Sequence, residues 1–150
     1  MQEPATNFGV LLFIPYRHIE NRILQSVRDA GFNDVTLAQA RVFQRIAPGG
    51  NRLTDLAEQA QMTKQSVAGL VDELERMGYV ERVPDPDDGR ARLIQIDERG
   101  RKAGNVAQAA HDQIQAEWRE HLGARRFAQL RKTLEQLREI TDPFAATRRG

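Results

Sequence analysis

Residues 63–97, TKQSVAGLVDELERMGYVERVPDPDDGRARLIQID, restrict the fold more than any other stretch of the chain. Val67, Leu70, Val71, Leu74 and Met77 recur at i, i+3, i+4, i+7 and i+10, which places them on one stripe of an α-helix. Gly78 then stands where a left-handed C-terminal cap belongs, and Tyr79-Val80 begins an extended run. Pro84 and Pro86, together with Asp85, Asp87, Asp88 and Gly89, predict a turn rather than a continuing strand. Leu93, Ile94 and Ile96 return as a second strand, and Asp97 is placed to cap a further helix.

Immediately upstream, LTDLAEQAQM (residues 53–62) predicts a shorter helix with Leu53, Leu56, Ala57 and Ala60 on one face. Gln61-Met62 leaves only a tight connection before Thr63, so the two helices form a helix-turn-helix. A helix-turn-helix running into a two-stranded hairpin is a winged helix. In that arrangement the second helix lies in the DNA major groove and presents its first residues to base edges. Here these are Thr63, Lys64, Gln65 and Ser66, each able to donate a hydrogen bond to a phosphate or a base. Any solvated helix start carries such residues; their conjunction with the hairpin gives them meaning.

The flanking segments are helical in pattern. After a polar leader at residues 1–7, a helix is predicted from Phe8 to about Ala30, with a bend at Pro15. Gly31 to Asp34 makes a turn, and either Asp34 or Thr36 caps a second helix carrying Leu37, Ala40, Val42, Phe43 and Ile46. Pro48 to Asn51 breaks it. A long helix follows from Asp97 to about His121, interrupted at Gly123. The last helix, residues 124–140, carries Phe127, Leu130, Leu134, Leu137 and Ile140. The architecture expected is mostly α with a small β-hairpin wing, in a single domain over 1–150. Its winged helix-turn-helix lobe covers about 35–97. The segments 8–30 and 98–141 offer more apolar helical surface than that lobe needs, so they are expected to bury it against a second copy as dimerisation helices. That they merely cover one core stays open.

Composition excludes several classes of function. With 40% hydrophobic and 29% charged residues, the chain is globular. Its most apolar run, GVLLFIPY (residues 9–16), falls well short of the roughly 20 residues of a membrane span, and no secretory pattern surrounds it. A cytoplasmic protein with no membrane partner is expected. The chain has no cysteine, hence no disulfide, thiolate metal site or cysteine redox switch. His18, His111 and His121 lack metal-ligand spacing, although two could meet across a dimer. HExxH, a phosphate-cradling glycine loop and a nucleophile elbow are all missing, so neither cofactor nor enzymatic activity is expected. The net charge of +1 and the acids of the 63–97 stretch imply modest phosphate-driven affinity per subunit, which two subunits would offset.

Residues 53–100, LTDLAEQAQMTKQSVAGLVDELERMGYVERVPDPDDGRARLIQIDERG, resemble the MarR-type winged-helix transcriptional regulators. The wing text RVPDPDDGRA, followed by apolar residues and then DERG, is its most specific part, and the helix order extends the resemblance from Phe8 to Ile140. The resemblance implies a two-fold dimer whose lobes straddle a palindromic operator in double-stranded DNA, with half-sites about one helical turn apart. It also implies that Arg90, at the wing tip, enters the minor groove, braced by Asp88 two positions earlier. Arg92 is a neighbouring phosphate contact. Ala68-Gly69 departs from the family, where many members carry polar or basic side chains, so base readout falls on Lys64, Gln65 and Ser66.

Many relatives release DNA on binding a small phenolic or aromatic acid, and such an effector site would be lined here by Tyr16, Arg17, His18 and Arg41. The alternative is that Tyr16 packs in the dimer core while Arg17 and Arg41 make salt bridges. The function expected is a homodimeric, sequence-specific DNA-binding transcriptional regulator, a repressor released by such a ligand. The competing reading is a winged-helix protein-interaction or assembly module without specific DNA binding. The low net charge and bare Ala68-Gly69 motivate that reading.

Overall fold

The computed structural model describes residues 4–142; residues 1–3 of the expected leader and the stretch 143–150 lie outside the described residues. The elements run α1 (Phe8–Asp29), α2 (Leu37–Phe43), α3 (Leu53–Ala60), α4 (Lys64–Arg76), β1 (Val80–Asp85), β2 (Asp88–Ile96), α5 (Glu98–Leu122) and α6 (Ala124–Thr141). The chain is mostly helical, with one antiparallel hairpin among the described residues. The described residues divide into two compact units, 4–110 and 111–142, the boundary falling within α5.

In the first unit, α1 is capped by the Asn7 side chain, which accepts from the Gly9 N–H at 2.8 Å, and it runs through Pro15 as one element. Thr36 caps α2. Its hydroxyl accepts from the Gln39 N–H at 3.2 Å while the Gln39 side chain accepts from the Thr36 N–H at 3.0 Å, satisfying two otherwise orphaned donors. Asp34, the other candidate, accepts instead from the Tyr79 hydroxyl and from Arg99. The α2 helix ends at Phe43, before the apolar spacing does. Tighter i−3 bonds from Arg45 to Val42 and from Ile46 to Phe43 still fold Ile46 into the core.

The core gathers Val42 from α2, Leu56 from α3, and Val67, Val71 and Leu74 from α4 against Tyr79, Val80 and Ile94. The predicted stripe on α4 is thus the buried face, with Leu70 and Met77 half-buried at its margin. Gly78 takes φ +83°, the left-handed conformation that turns the chain from α4 into the hairpin. Asn51 pairs with Ile94 through two backbone hydrogen bonds, adding a short bridge to the hairpin.

The hairpin departs from the expectation at Pro84, which is the penultimate residue of β1 and pairs with Arg92. Each strand of a two-stranded ladder has an open outer edge, where a proline without an N–H is tolerated. The turn is correspondingly shorter, only Pro86-Asp87. At the base of the wing, Asp97 accepts from the Glu98 N–H at 2.7 Å at the start of α5. Gly100 lies so close to the wing that an added Cβ would come within 2.1 Å of the Tyr79 carbonyl oxygen.

In the second unit, Gly123 (φ +88°) separates α5 from α6. Ile114 and Phe127 are buried, and the Arg119 guanidinium lies 5.3 Å from the Phe127 ring centroid. Leu130, Leu134, Leu137 and Ile140 form an exposed apolar row along α6.

Candidate nucleic-acid interface

The four residues expected to begin DNA readout occupy the first turn of α4, all exposed, but they do different work. Thr63 is the cap: its hydroxyl accepts from the Ser66 N–H at 3.1 Å and donates to Ser66 Oγ at 2.8 Å. Both capacities of Thr63 therefore serve the helix, while the Ser66 hydroxyl keeps a proton to donate. Lys64 and Gln65 project into solvent with no side-chain partner among the described residues. One turn on, Ala68 is half-buried and a Cβ at Gly69 would meet nothing within 4 Å, so this part of the face is bare backbone.

The wing owes its shape to carboxylates. Register holds from Val80↔Ile96 to Pro84↔Arg92, then jumps to Asp85↔Asp88, which leaves Gly89, Arg90 and Ala91 outside the regular pairing. Asp85 is buried, and one of its oxygens accepts from the Asp87 N–H at 2.9 Å. Asp88 accepts from the Arg90 N–H at 3.0 Å. It therefore braces the backbone of Arg90, not its guanidinium, which extends into solvent without a carboxylate partner among the described residues.

Two arginines tie this region together, and sequence reasoning assigned neither. Arg52, at the start of α3, donates to Asp85 from Nε at 2.8 Å and lies 2.7 Å away through Nη2. Arg82 in β1 spans back to α4, meeting Asp72 at 2.7 Å and Glu75 at 3.0 Å. The acids that make the 63–97 stretch look unsuited to DNA are thus largely answered from within: Asp72 and Glu75 by Arg82, Asp85 by Arg52, and Glu73 by a 2.6 Å bond from buried Gln39. Arg52 and Asp85 are 33 positions apart, and no periodicity announces such a pair. The hydrogen bond from the Asp87 N–H and then the Arg52 guanidinium hold the Asp85 carboxyl below its ordinary pKa. Between α3, α4 and the wing lies a cleft of about 400 Å³, lined by Arg52, Leu53, Thr54, Lys64, Arg82, Ala91, Arg92 and Ile94. Lys64 and Arg92, both exposed, face this one cleft from different elements.

The effector candidates come together differently from the expectation. Arg41 makes a two-pronged contact to Glu20, 2.8 Å from Nε and 3.1 Å from Nη2, and Arg17 reaches the same carboxylate at 3.1 Å. These are the salt bridges of the alternative reading. Glu20 is buried, and its pKa is lowered chiefly by the Arg41 hydrogen bond, which outweighs burial, with Arg17 adding to it. The Tyr16 hydroxyl accepts from Gln44 at 3.4 Å while its ring stays substantially exposed, and His18 is exposed on α1.

A helix-turn-helix whose second helix leads into a wing bearing a solvent-directed arginine defines the class: this is a winged helix-turn-helix protein. Residues 33–91 match the model of the MarR family. The chain is 34% identical over 93 residues to the transcriptional activatory protein BadR of Rhodopseudomonas palustris; the match covers 62% of this chain and about half the length of that relative, 52%. It is similar to the transcriptional regulator Tm0710 of Thermotoga maritima, with a TM-score of 0.61 and 26% identity over 90% of this chain and 94% of that one. NadR in complex with 4-hydroxyphenylacetate shares the fold at a TM-score of 0.70 and 22% identity, covering 91% of this chain and 96% of NadR. Over residues 33–91 the chain is thus similar to the MarR family, and the named relatives it resembles are transcriptional regulators.

Proposed function

We propose that this chain acts as a homodimer that binds a palindromic operator in double-stranded DNA and regulates transcription there. The observation that carries the reading is the shared cleft: Lys64 from the helix start and Arg92 from the wing approach one space, each without an internal partner among the described residues. A duplex lying along that face would take Lys64, Gln65 and Ser66 into the major groove. Arg92 would meet the backbone, and Arg90 would enter the minor groove, where negative potential is concentrated. Asp88 and Thr63 serve this surface by shaping it, through the Arg90 N–H and the helix cap.

Dimerisation is supported by apolar surface left in water. Phe8, Leu11, Phe13 and Ile14 on α1 are more than half exposed, as is Ile140 on α6, and the leucines of the α6 row are over a third exposed. Apolar area on this scale marks an interface. Within one chain we assign the DNA-binding lobe to about 35–97 and the dimerisation helices to 8–30 and 98–141. Repression follows where the operator overlaps a promoter. We assign repression to this chain, although its relative BadR is named an activatory protein.

An aromatic or phenolic acid is the effector class we assign, at the site around Tyr16, Arg17, His18 and Arg41. Two guanidiniums against the single Glu20 carboxylate leave one positive charge to attract an anion, and the exposed Tyr16 ring offers a stacking surface. The incoming carboxylate must displace Glu20 from at least one arginine.

The deciding experiment is a salt series of binding to the DNA upstream of the protein's own coding region, followed by selection from a random duplex library. Log affinity should fall steeply and linearly with log salt, at one dimer per selected site. Binding no tighter to selected than to random duplex would leave the assembly module as the function.

A further inference from the structure

We propose that Arg52 is a positioning residue for the wing: it sets the geometry from which Arg90 meets DNA without touching DNA itself. The proposal rests on the DNA-binding reading above. Its basis is the arrangement of the two carboxylates beside Arg52. Asp85 takes Arg52 on one oxygen, at 2.8 Å from Nε and 2.7 Å from Nη2, and with the other oxygen accepts from the Asp87 N–H. Asp88 repeats the pattern: one oxygen stands 3.8 Å from Arg52 Nη2, and the other accepts from the Arg90 N–H. One guanidinium, carried at the start of α3, thus holds Asp85 by close contacts and stands beside Asp88, and each of these carboxylates fixes a backbone N–H at the wing tip.

The location gives this arrangement its importance. Gly89, Arg90 and Ala91 fall where the strand register jumps, so they have no partners in the regular pairing of the hairpin. Asp85 is 7% exposed, and removing Arg52 would leave its charge buried with the Asp87 N–H to answer it. The guanidinium suits the task because its rigid planar fork brings Nε and Nη2 to Asp85 together, which the rotatable ammonium of a lysine does not do. An arginine occupied by Asp85 in this way has its Nε and Nη2 committed, which distinguishes it from Lys64 and Arg92 in the same cleft.

The test compares R52Q, R90A and the double variant for affinity to the selected operator. In parallel, it measures amide hydrogen exchange at Asp87 and Arg90 in the free protein. R52Q should accelerate exchange at both amides by about ten-fold or more while core amides of α4 stay protected. It should also weaken operator binding by about ten-fold, yet cost less than about two-fold further in the R90A background, because a residue that acts through Arg90 has nothing left to position. R52K should restore neither the exchange protection nor the affinity in full. Additive losses for R52Q and R90A, with a smaller salt slope for R52Q, would make Arg52 a direct phosphate contact and overturn the proposal. Unchanged exchange at Asp87 and Arg90 would overturn it whatever the affinities. A protein whose wild type fails to prefer any operator, while R52Q still loosens the wing, would instead overturn the DNA reading.

Discussion

Arg90 shows how much a single position depends on its backbone. Its side chain is fully committed to solvent, but its N–H is held by Asp88, so the guanidinium departs from a fixed origin. Replacing Arg90 by Ala should weaken operator binding by about 10- to 100-fold, while oligomeric state and thermal midpoint stay unchanged. Equal affinities in a titration of the two proteins would remove Arg90 from the interface. Lys64→Ala should act differently. If it meets a phosphate, affinity falls about equally on all sequences and the salt slope drops by about one; if it meets guanine, discrimination at one operator position is lost. Tyr79 illustrates a residue whose role only packing reveals. Its ring is buried beneath the Arg99 guanidinium, 4.4 Å from the centroid, and its hydroxyl donates to Asp34. Burial and the Asp34 carboxylate together push the phenol well above its ordinary pKa, so it remains a donor throughout the physiological range.

At the scale of elements, the joints matter more than the helices. The wing and α5 meet at Gly100, where the Tyr79 carbonyl leaves no room for a side chain. Gly100→Ala should therefore destabilise the fold by ~2–3 kcal/mol, despite alanine's higher helix propensity, and chemical denaturation would measure it. A neutral or stabilising result would mean that α5 can shift away from the wing at little cost. The joint of α1 with α2 is electrostatic. Glu20 is held by Arg41 and Arg17, and its folded pKa lies below its ordinary value. A depressed carboxyl contributes stability that is complete above its unfolded pKa and is lost as pH falls through the folded one. The stability difference between wild type and E20Q should accordingly be constant near neutrality and shrink once pH drops below about 4. Urea denaturation at several pH values would show whether it does.

For the whole molecule, the proposed dimer rests on the exposed apolar surfaces of α1 and α6. Leu134→Glu, which places a charge in the middle of the α6 row, should shift the protein from dimer towards a 17.0 kDa monomer in sedimentation equilibrium. Secondary structure should persist, since Leu134 is already 43% exposed within the single chain. Operator affinity should fall with it, because two lobes held together gain effective concentration that single lobes lack. An L134E protein that remains dimeric would confine the interface to other surfaces, α1 first among them.

Much of this molecule is legible one residue at a time, because local rules govern it. The stripe from Val67 to Met77 marks the buried face of α4, Gly78 marks the left-handed exit, and Thr36 and Asp97 mark helix starts. Each depends on neighbours within a turn of helix, so spacing and residue type suffice. Pro84 misleads for the complementary reason: its tolerance in β1 depends on the open edge of a two-stranded ladder, which belongs to the sheet and not to the residue. Arg52 with Asp85, Arg41 with Glu20 and Tyr79 with Asp34 are likewise invisible in the sequence, since each pair joins segments 21 to 45 positions apart. Periodicity determined which faces of the helices would be buried and where the winged helix-turn-helix would lie. Only the tertiary structure decided which charges answer one another, and hence which remain free for DNA, because ion pairs are selected by distance in space.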